Sequence, residues 1–466
     1  VTDIVRDRDA AIRKLAVAAQ MTREELAAQS PELVDALLAE GRLKAEAENR
    51  MNMDKAAADA VSGALAIVKA VAGDEAASRV ETTLNTLRAT GMSAEQIASE
   101  MYAIACSFGL SAGTNQSWIE ISGLSENMGK AMEIVEGLIA GAQPNEEILQ
   151  NLKGDMIKSR ADAKLNQSRC FGALQRYMIY GSDFIRRTTL TDPALQGLTS
   201  EQLLAKIGDL MGKQHEVLYY GPQDEAEVKA ALAAHHKVAA DLQPLEKKFS
   251  TLQPTDENKV MLAQYDAKQL YYMQYSNRGE KFDLAADPQI TLYNEYFGGG
   301  MNTIVFQEMR EARGLAYSAW ANLAIPTNAK GDYYYMAFIA TQNDKMQKAI
   351  EAFDEIINNM PESEKAFDIA KEALISRLRT ERTVKDGVLW SYIRMRDLGL
   401  TEPRGKQIFE KAQQMTLADV KAAQEKWVKG RKYVYGILGD IQDLDLNYLK
   451  TLGPIQTVTQ EEIFGY

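Results

Sequence analysis

Apolar residues recur along this 466-residue chain with two different periods. Between Met346 and Ile357 they fall at Met346, Ala349, Ile350, Phe353, Ile356 and Ile357, the i, i+3, i+4, i+7 spacing of a helix that buries one face against a sheet. Elsewhere the pattern shortens to β-rich or alternating runs: SWIEIS (117–122), VLYY (217–220), KVMLA (259–263), QLYYMQY (269–275) and YVYGIL (433–438). Strands of this kind interleaved with amphipathic helices predict an α+β protein, a mostly antiparallel sheet covered by helices. Residues 1–79 read otherwise. Ala, Glu, Leu, Lys and Arg dominate there, Thr22 and Ser30-Pro31 stand where helix starts are capped, and no strand pattern appears, so this stretch is expected to be helical.

The patterns repeat. Asn127-Met128-Gly129-Lys130-Ala131-Met132-Glu133 returns as Lys345-Met346-Gln347-Lys348-Ala349-Ile350-Glu351, an offset of 346 − 128 = 218. Lys153 and Lys371 keep that step, as do Gly221 and Gly439, while Pro144 and Pro361 are 217 apart. Upstream the offset falls to 208 or 209, with Thr83-Leu84 against Thr291-Leu292 and Gly91-Met92 against Gly300-Met301, so the second copy carries a longer hairpin around Pro326 to Asp332. The polar, twice proline-bearing stretch at 244–258 is the expected linker between a first copy at 80–243 and a second at 259–466. The copies differ at their starts. The second opens with KVMLA and QLYYMQY, whereas the first, at 259 − 218 = 41, offers the helix-like GRLKAEAENRMNMDKAAADA. The first copy is therefore expected to lack its opening strands, which leaves a sheet edge in need of a cover.

Composition narrows the function by exclusion. Fifty-three basic against 65 acidic residues leave a formal charge of −12, the wrong sign for a protein held to a phosphate backbone, so no nucleic-acid partner is expected. The most apolar early stretch, Ala56 to Gly73, is broken by Asp59 and Lys69, and no membrane span is expected. A soluble protein follows, with neither cytoplasm nor periplasm selected. Two cysteines, Cys106 and Cys170, read as small core residues.

Candidate chemistry is sparse. The three histidines, His215, His235 and His236, form neither H-x-x-E-H nor H-E-x-x-H, and the adjacent pair would point about 100° apart on a helix, so no metal site or cofactor is expected in this chain alone. Gly298-Gly299-Gly300 lacks the terminal Lys-Ser/Thr of a phosphate loop and reads as a tight turn with backbone free to contact a peptide. The sharper feature follows it, from Phe306 to Tyr317 (FQEMREARGLAY). Val305, Phe306 and Met309 make an apolar face, Gly314 can end the helix, and a strand begins at Leu315. Arg310 and Tyr317 thus project from a helix–strand junction as two donors able to bind a carbonyl or an oxyanion from one side. An ordinary amphipathic helix with solvated charges accounts for the same residues.

These residues resemble a known family. F-x-x-x-R followed seven residues later by Tyr, with G-x-x-Y leading into a strand, is similar to the C-terminal half of the bacterial-type insulinase/pitrilysin zinc metallopeptidases, the inverzincins. The likeness is closest over YNEYFGGGMNTIVFQEMREARGLAY (293–317) and FIATQNDKMQKAIEAFDEIINNMPESEKAF (338–367), and tandem α+β domains of this size fit it too. The resemblance implies that Arg310 and Tyr317 stand for the family's arginine–tyrosine pair, which reaches across a peptide-binding chamber from the half without zinc. It also implies a zinc-bearing partner half or subunit and a peptide substrate. The chain itself has no H-x-x-E-H, so it is expected to be inactive alone, with zinc in the complementary half. A non-proteolytic structural or binding paralogue of the same fold is the other reading.

Overall fold

The protein is seen here as a computed structural model that describes residues 94–113, 116–245 and 250–466; the helix expected over 1–79 lies outside the described residues. The described chain divides into two compact units, one reaching Ala112 and including Trp118–Leu124, the other comprising Gly113–Ser117 and Ser125–Tyr466.

The first unit holds helix α1 (Ala94–Ala103), strand β1 (Cys106–Ala112) and strand β2 (Ser117–Gly123), the last two paired as a hairpin. Ala105, with a φ of 50°, turns the chain from helix into strand, and Met101 is buried at the end of α1. The SWIEIS run is therefore a strand as its alternation predicts.

The second unit begins with helices α2 (Met128–Gly141), α3 (Glu146–Lys164), α4 (Gln167–Thr188), α5 (Ser200–Met211) and α6 (Glu225–His235). Their starts are written in side chains that accept the free N–H groups of a first turn: Asn145 from Ile148, Asn166 from Arg169, and Thr199 and Asp224 in reciprocal capping boxes with Gln202 and Glu227.

A six-stranded sheet follows, ordered β5-β6-β4-β7-β3-β8. Its first strands are β3 (Lys259–Gln264) and β4 (Gln269–Ser276), then come α7 (Asp287–Phe297), a short α8 (Ile304–Phe306) continued by a π-helical turn (Gln307–Ala312), β5 (Ser318–Ala324) and β6 (Tyr334–Gln342). The chain goes on through α9 (Met346–Asn358), α10 (Glu364–Thr380), α11 (Gly387–Asp397) and α12 (Leu417–Ala423) to β7 (Val434–Gly439), β8 (Ile455–Val458) and α13 (Gln460–Phe464). The pairings from β5 to β7 are antiparallel, and β7, β3 and β8 run parallel. KVMLA, QLYYMQY and YVYGIL are thus strands, and the long hairpin of the second copy joins β5 to β6.

Each sheet face has its own core. On one, α9 buries Met346, Ala349, Ile350, Phe353, Ile356 and Ile357, the six residues its period singles out, against β6 and the flanking helices. Full burial of each large side chain among them is worth about 1.5–3 kcal/mol. The other face is covered by α4 and α13, with Phe171, Leu174 and Met178 lying on Met261, Met273, Val434 and Leu438. Gly436 is small because it must be: a Cβ there would stand 2.2 Å from Met178 Sδ.

One expected strand does not form. Residues 214–220, which hold VLYY, are irregular, and Val217, Leu218 and Tyr220 are exposed. Their counterparts 218 positions on lie in β7, hydrogen-bonded between β4 and β3. Among the described residues the first copy has the β1–β2 hairpin, and the positions that would match β3 and β4, near 41–58, lie outside the described residues. A run of high strand propensity without a ladder on either side has no partners for its N–H and C=O groups and stays with water.

Candidate functional site

The Phe306–Tyr317 stretch folds as a helix that loosens at its end. After α8 the backbone widens into the π-helical turn, in which Arg313 N donates to Glu308 O at 3.2 Å. Such widened turns recur at functional sites because they displace side chains from regular helical positions. Gly314 then takes a φ of 58°, left-handed backbone that suits glycine, and the chain reverses into β5. Leu315 N and Ala316 N both donate to Met309 O, at 2.9 and 3.3 Å, and Tyr317 N donates to Ala340 O at 3.0 Å, so the junction is pinned on both sides.

This geometry brings Arg310 and Tyr317 together. The guanidinium carbon of Arg310 lies 5.6 Å from the Tyr317 ring centroid and 4.9 Å from that of Phe306, so the cation rests between two aromatic faces. Both side chains reach solvent, Arg310 at 44% and Tyr317 at 76%. Arg310 Nε also stands 3.5 Å from Glu311 Oε1, a surface ion pair that water screens. Val305 and Met309 are fully buried, as the apolar face predicts, but Phe306 is only partly so, because it supports the arginine. Behind the pair, Arg313 bonds Glu355 of α9 at 2.8 Å, and this bond holds the Arg313 guanidinium above its ordinary value and the Glu355 carboxyl below its own. Two donors on a braced junction suit an acceptor carrying partial or full negative charge.

The glycine run divides in its roles. Gly298 is buried at the end of α7, where its carbonyl accepts from Ala321 N at 2.8 Å; a Cβ on it would stand 1.8 Å from Ala321 O. Gly299 and Gly300 are exposed, followed by Met301 at 73% exposure. Only these two glycines present backbone outward. Cys106 and Cys170 are both free thiols, and Cys170 is buried, where desolvation raises its pKa. No helix among the described residues is long and apolar enough to cross a membrane. What residue patterns could not reveal is the π-helical turn, which has no composition of its own, and the seat of Arg310 on Phe306.

Residues 211–374 match the family profile of the peptidase M16 inactive domain. No curated protein matches the chain. Among solved structures, the M16 inactive domain from Pseudomonas fluorescens is similar at 18% identity and a TM-score of 0.59, over 78% of this chain and 88% of that one. The periplasmic protease PqqL from Escherichia coli aligns at 14% identity and 0.58, over 77% of this chain and 41% of its own. The ferredoxin protease FusC, solved with Arabidopsis ferredoxin, aligns at 12% and 0.59, over 78% and 40%. The match thus spans about two fifths of each of these two proteases. By the profile match over residues 211–374 and by its fold, this chain is similar to the inactive, C-terminal half of the M16, or insulinase/pitrilysin, peptidases.

Proposed function

We propose that the chain is the non-catalytic half or subunit of an M16 zinc peptidase, closing a peptide-binding chamber and touching the substrate through Arg310 and Tyr317. The observation that carries this reading is the adjacency of the two side chains, 5.6 Å apart and both open to solvent, on a junction braced from behind. A guanidinium and a phenol fixed before the substrate arrives stabilise charge that develops on a carbonyl oxygen without reorganising during the step. Gly299 and Gly300 add exposed backbone for an extended peptide. Zinc and the general base come from a complementary half with H-x-x-E-H, since the sequence contains no such motif. The two similar proteases are each more than twice as long as the part this chain matches, which accords with a second half.

The test is reconstitution. The chain is mixed with a zinc-bearing M16 half and peptide cleavage is followed for wild type, Arg310→Ala and Tyr317→Phe. Each substitution should lower kcat/KM at least about tenfold, some 1.4 kcal/mol of transition-state stabilisation. Active complexes indifferent to both substitutions would remove the substrate-contact role and leave a structural or binding paralogue.

A further inference from the structure

All three histidines of the chain, His215, His235 and His236, meet where α6 lies along α2 and the chain leaves α5. His235 donates from Nδ1 to Glu133 Oε1 at 2.8 Å, and its ring covers Gly129, whose added Cβ would stand 2.6 Å from His235 Nε2. His236 donates from Nδ1 to Glu136 Oε1 at 2.5 Å, while the other oxygen of that carboxylate accepts from Lys237 N at 2.7 Å. His215 donates from Nδ1 to the Lys213 carbonyl at 2.9 Å. The remaining nitrogens of His215 and His236, both Nε2, face one another at 2.9 Å, with the rings at 76°.

The Nδ1 partners decide what the Nε2 atoms can do. A carbonyl and an ionised carboxylate only accept, so both Nδ1 atoms carry hydrogen and each neutral ring has its lone pair on Nε2. Two lone pairs aimed at each other repel, and the arrangement is relieved by a positive species that both can hold. An imidazole whose other N–H is fixed by a carboxylate or a backbone carbonyl is also the arrangement that orients histidine on metal ions. Neutral imidazole nitrogen selects zinc, nickel or copper over magnesium or calcium.

We propose that His215 and His236 form a two-imidazole site for one divalent late-transition-metal ion. No third His, Cys, Asp or Glu completes a larger group among the described residues, so water fills the other coordination positions. His215 is exposed, which gives the ion a path in. Bound there, it joins the segment after α5 to the end of α6 and stabilises the folded chain by mass action. The two ligands stand 21 residues apart, which is why helical spacing rules, drawn to the neighbours His235 and His236, pass over them.

Titration of the metal-free chain with ZnCl2 or NiCl2 tests the site. Calorimetry should register one equivalent bound, and the melting temperature should rise with metal. His215→Ala and His236→Ala should each weaken binding at least about tenfold, and Glu136→Gln, which removes the orienting charge, by a similar factor. His235→Ala should leave binding unchanged, and circular dichroism should find every variant folded, His215→Ala above all because its ring is exposed. Binding that is absent at millimolar metal, or equally strong in both ligand variants, overturns the proposal. So does nitrogen NMR that finds a single proton shared by the two Nε2 atoms while zinc is present in large excess.

Discussion

Lys153 and Lys371, 218 positions apart, do the same work in the two copies: each sends its ammonium from the first half of a long helix to a carbonyl just ahead of a later helix. Lys153 Nζ donates to Gln196 O and Leu198 O at 2.9 and 2.6 Å, and Lys371 Nζ to Met415 O at 2.8 Å. The repeat is therefore one of bonding as well as of residue type. Lys153 is 3% exposed and has two acceptors, so Lys153→Met should lower stability by about 2–3 kcal/mol, and Lys371→Met, part-buried with one acceptor, by about 1 kcal/mol. Urea midpoints of the two variants against wild type measure the order.

Gly298 and Gly299 are neighbours with opposite tolerance. An alanine Cβ at 298 would overlap Ala321 O and force the end of α7 off β5, a loss of about 1–3 kcal/mol, whereas at 299 it would meet nothing within 4 Å. Thermal melts of Gly298→Ala and Gly299→Ala should therefore differ, with the second within about 0.5 kcal/mol of wild type.

Asp354 titrates against the fold. Desolvation raises its pKa from 3.8 to about 6, despite the hydrogen bond it accepts from Gln274 Nε2 at 2.5 Å. Between those values the folded chain holds a proton that the unfolded chain has released, so this group's contribution is most favourable below pH 4 and declines as pH rises through about 6. At about 1.4 kcal/mol per pKa unit the decline amounts to roughly 3 kcal/mol. Asp354→Asn should remove that slope and be the more stable protein at pH 8, as read from urea midpoints at several pH values.

Arg310 and Tyr317 are exposed, so their removal should not disturb the fold. The double variant Arg310→Ala/Tyr317→Phe is expected to unfold within about 0.5 kcal/mol of wild type by denaturant titration. A larger loss would mean that the pair braces the junction instead of facing a ligand.

How much of this was legible depended on whether the signal was local. The buried face of α9 was readable at all six positions because a helix repeats its face regardless of what covers it. VLYY looked equally clear and failed, since a strand exists only where other strands meet it, and the counterparts of β3 and β4 are not among the described residues of the first copy. That Arg310 and Tyr317 stand at a helix–strand junction was readable in advance, but not the support of Phe306 or the π-helical turn, which arise from how α8 is packed against β5. The facing of His215 and His236 was invisible for the same reason: the segment after α5 and the end of α6, distant in sequence, come together only in the fold, where Gly212 and Gln214 pair with the backbone of Gln243 beyond α6.

The helix α4 carries a last consequence. It belongs to the first copy by sequence yet roofs the sheet of the second, with Met178 seated on Gly436. Its counterpart 218 positions on begins at 385 and includes α11, whose Arg396 bonds Glu216, the residue matching Val434, at 2.9 Å. The two repeats thus trade limbs, each reaching for the other's closing segment. On α11 Val388 and Tyr392 are exposed. A fragment cut to the second repeat would forfeit α4 and turn Met261, Met273, Val434 and Leu438 out to water, so kinship by descent and independence in solution part company in this molecule.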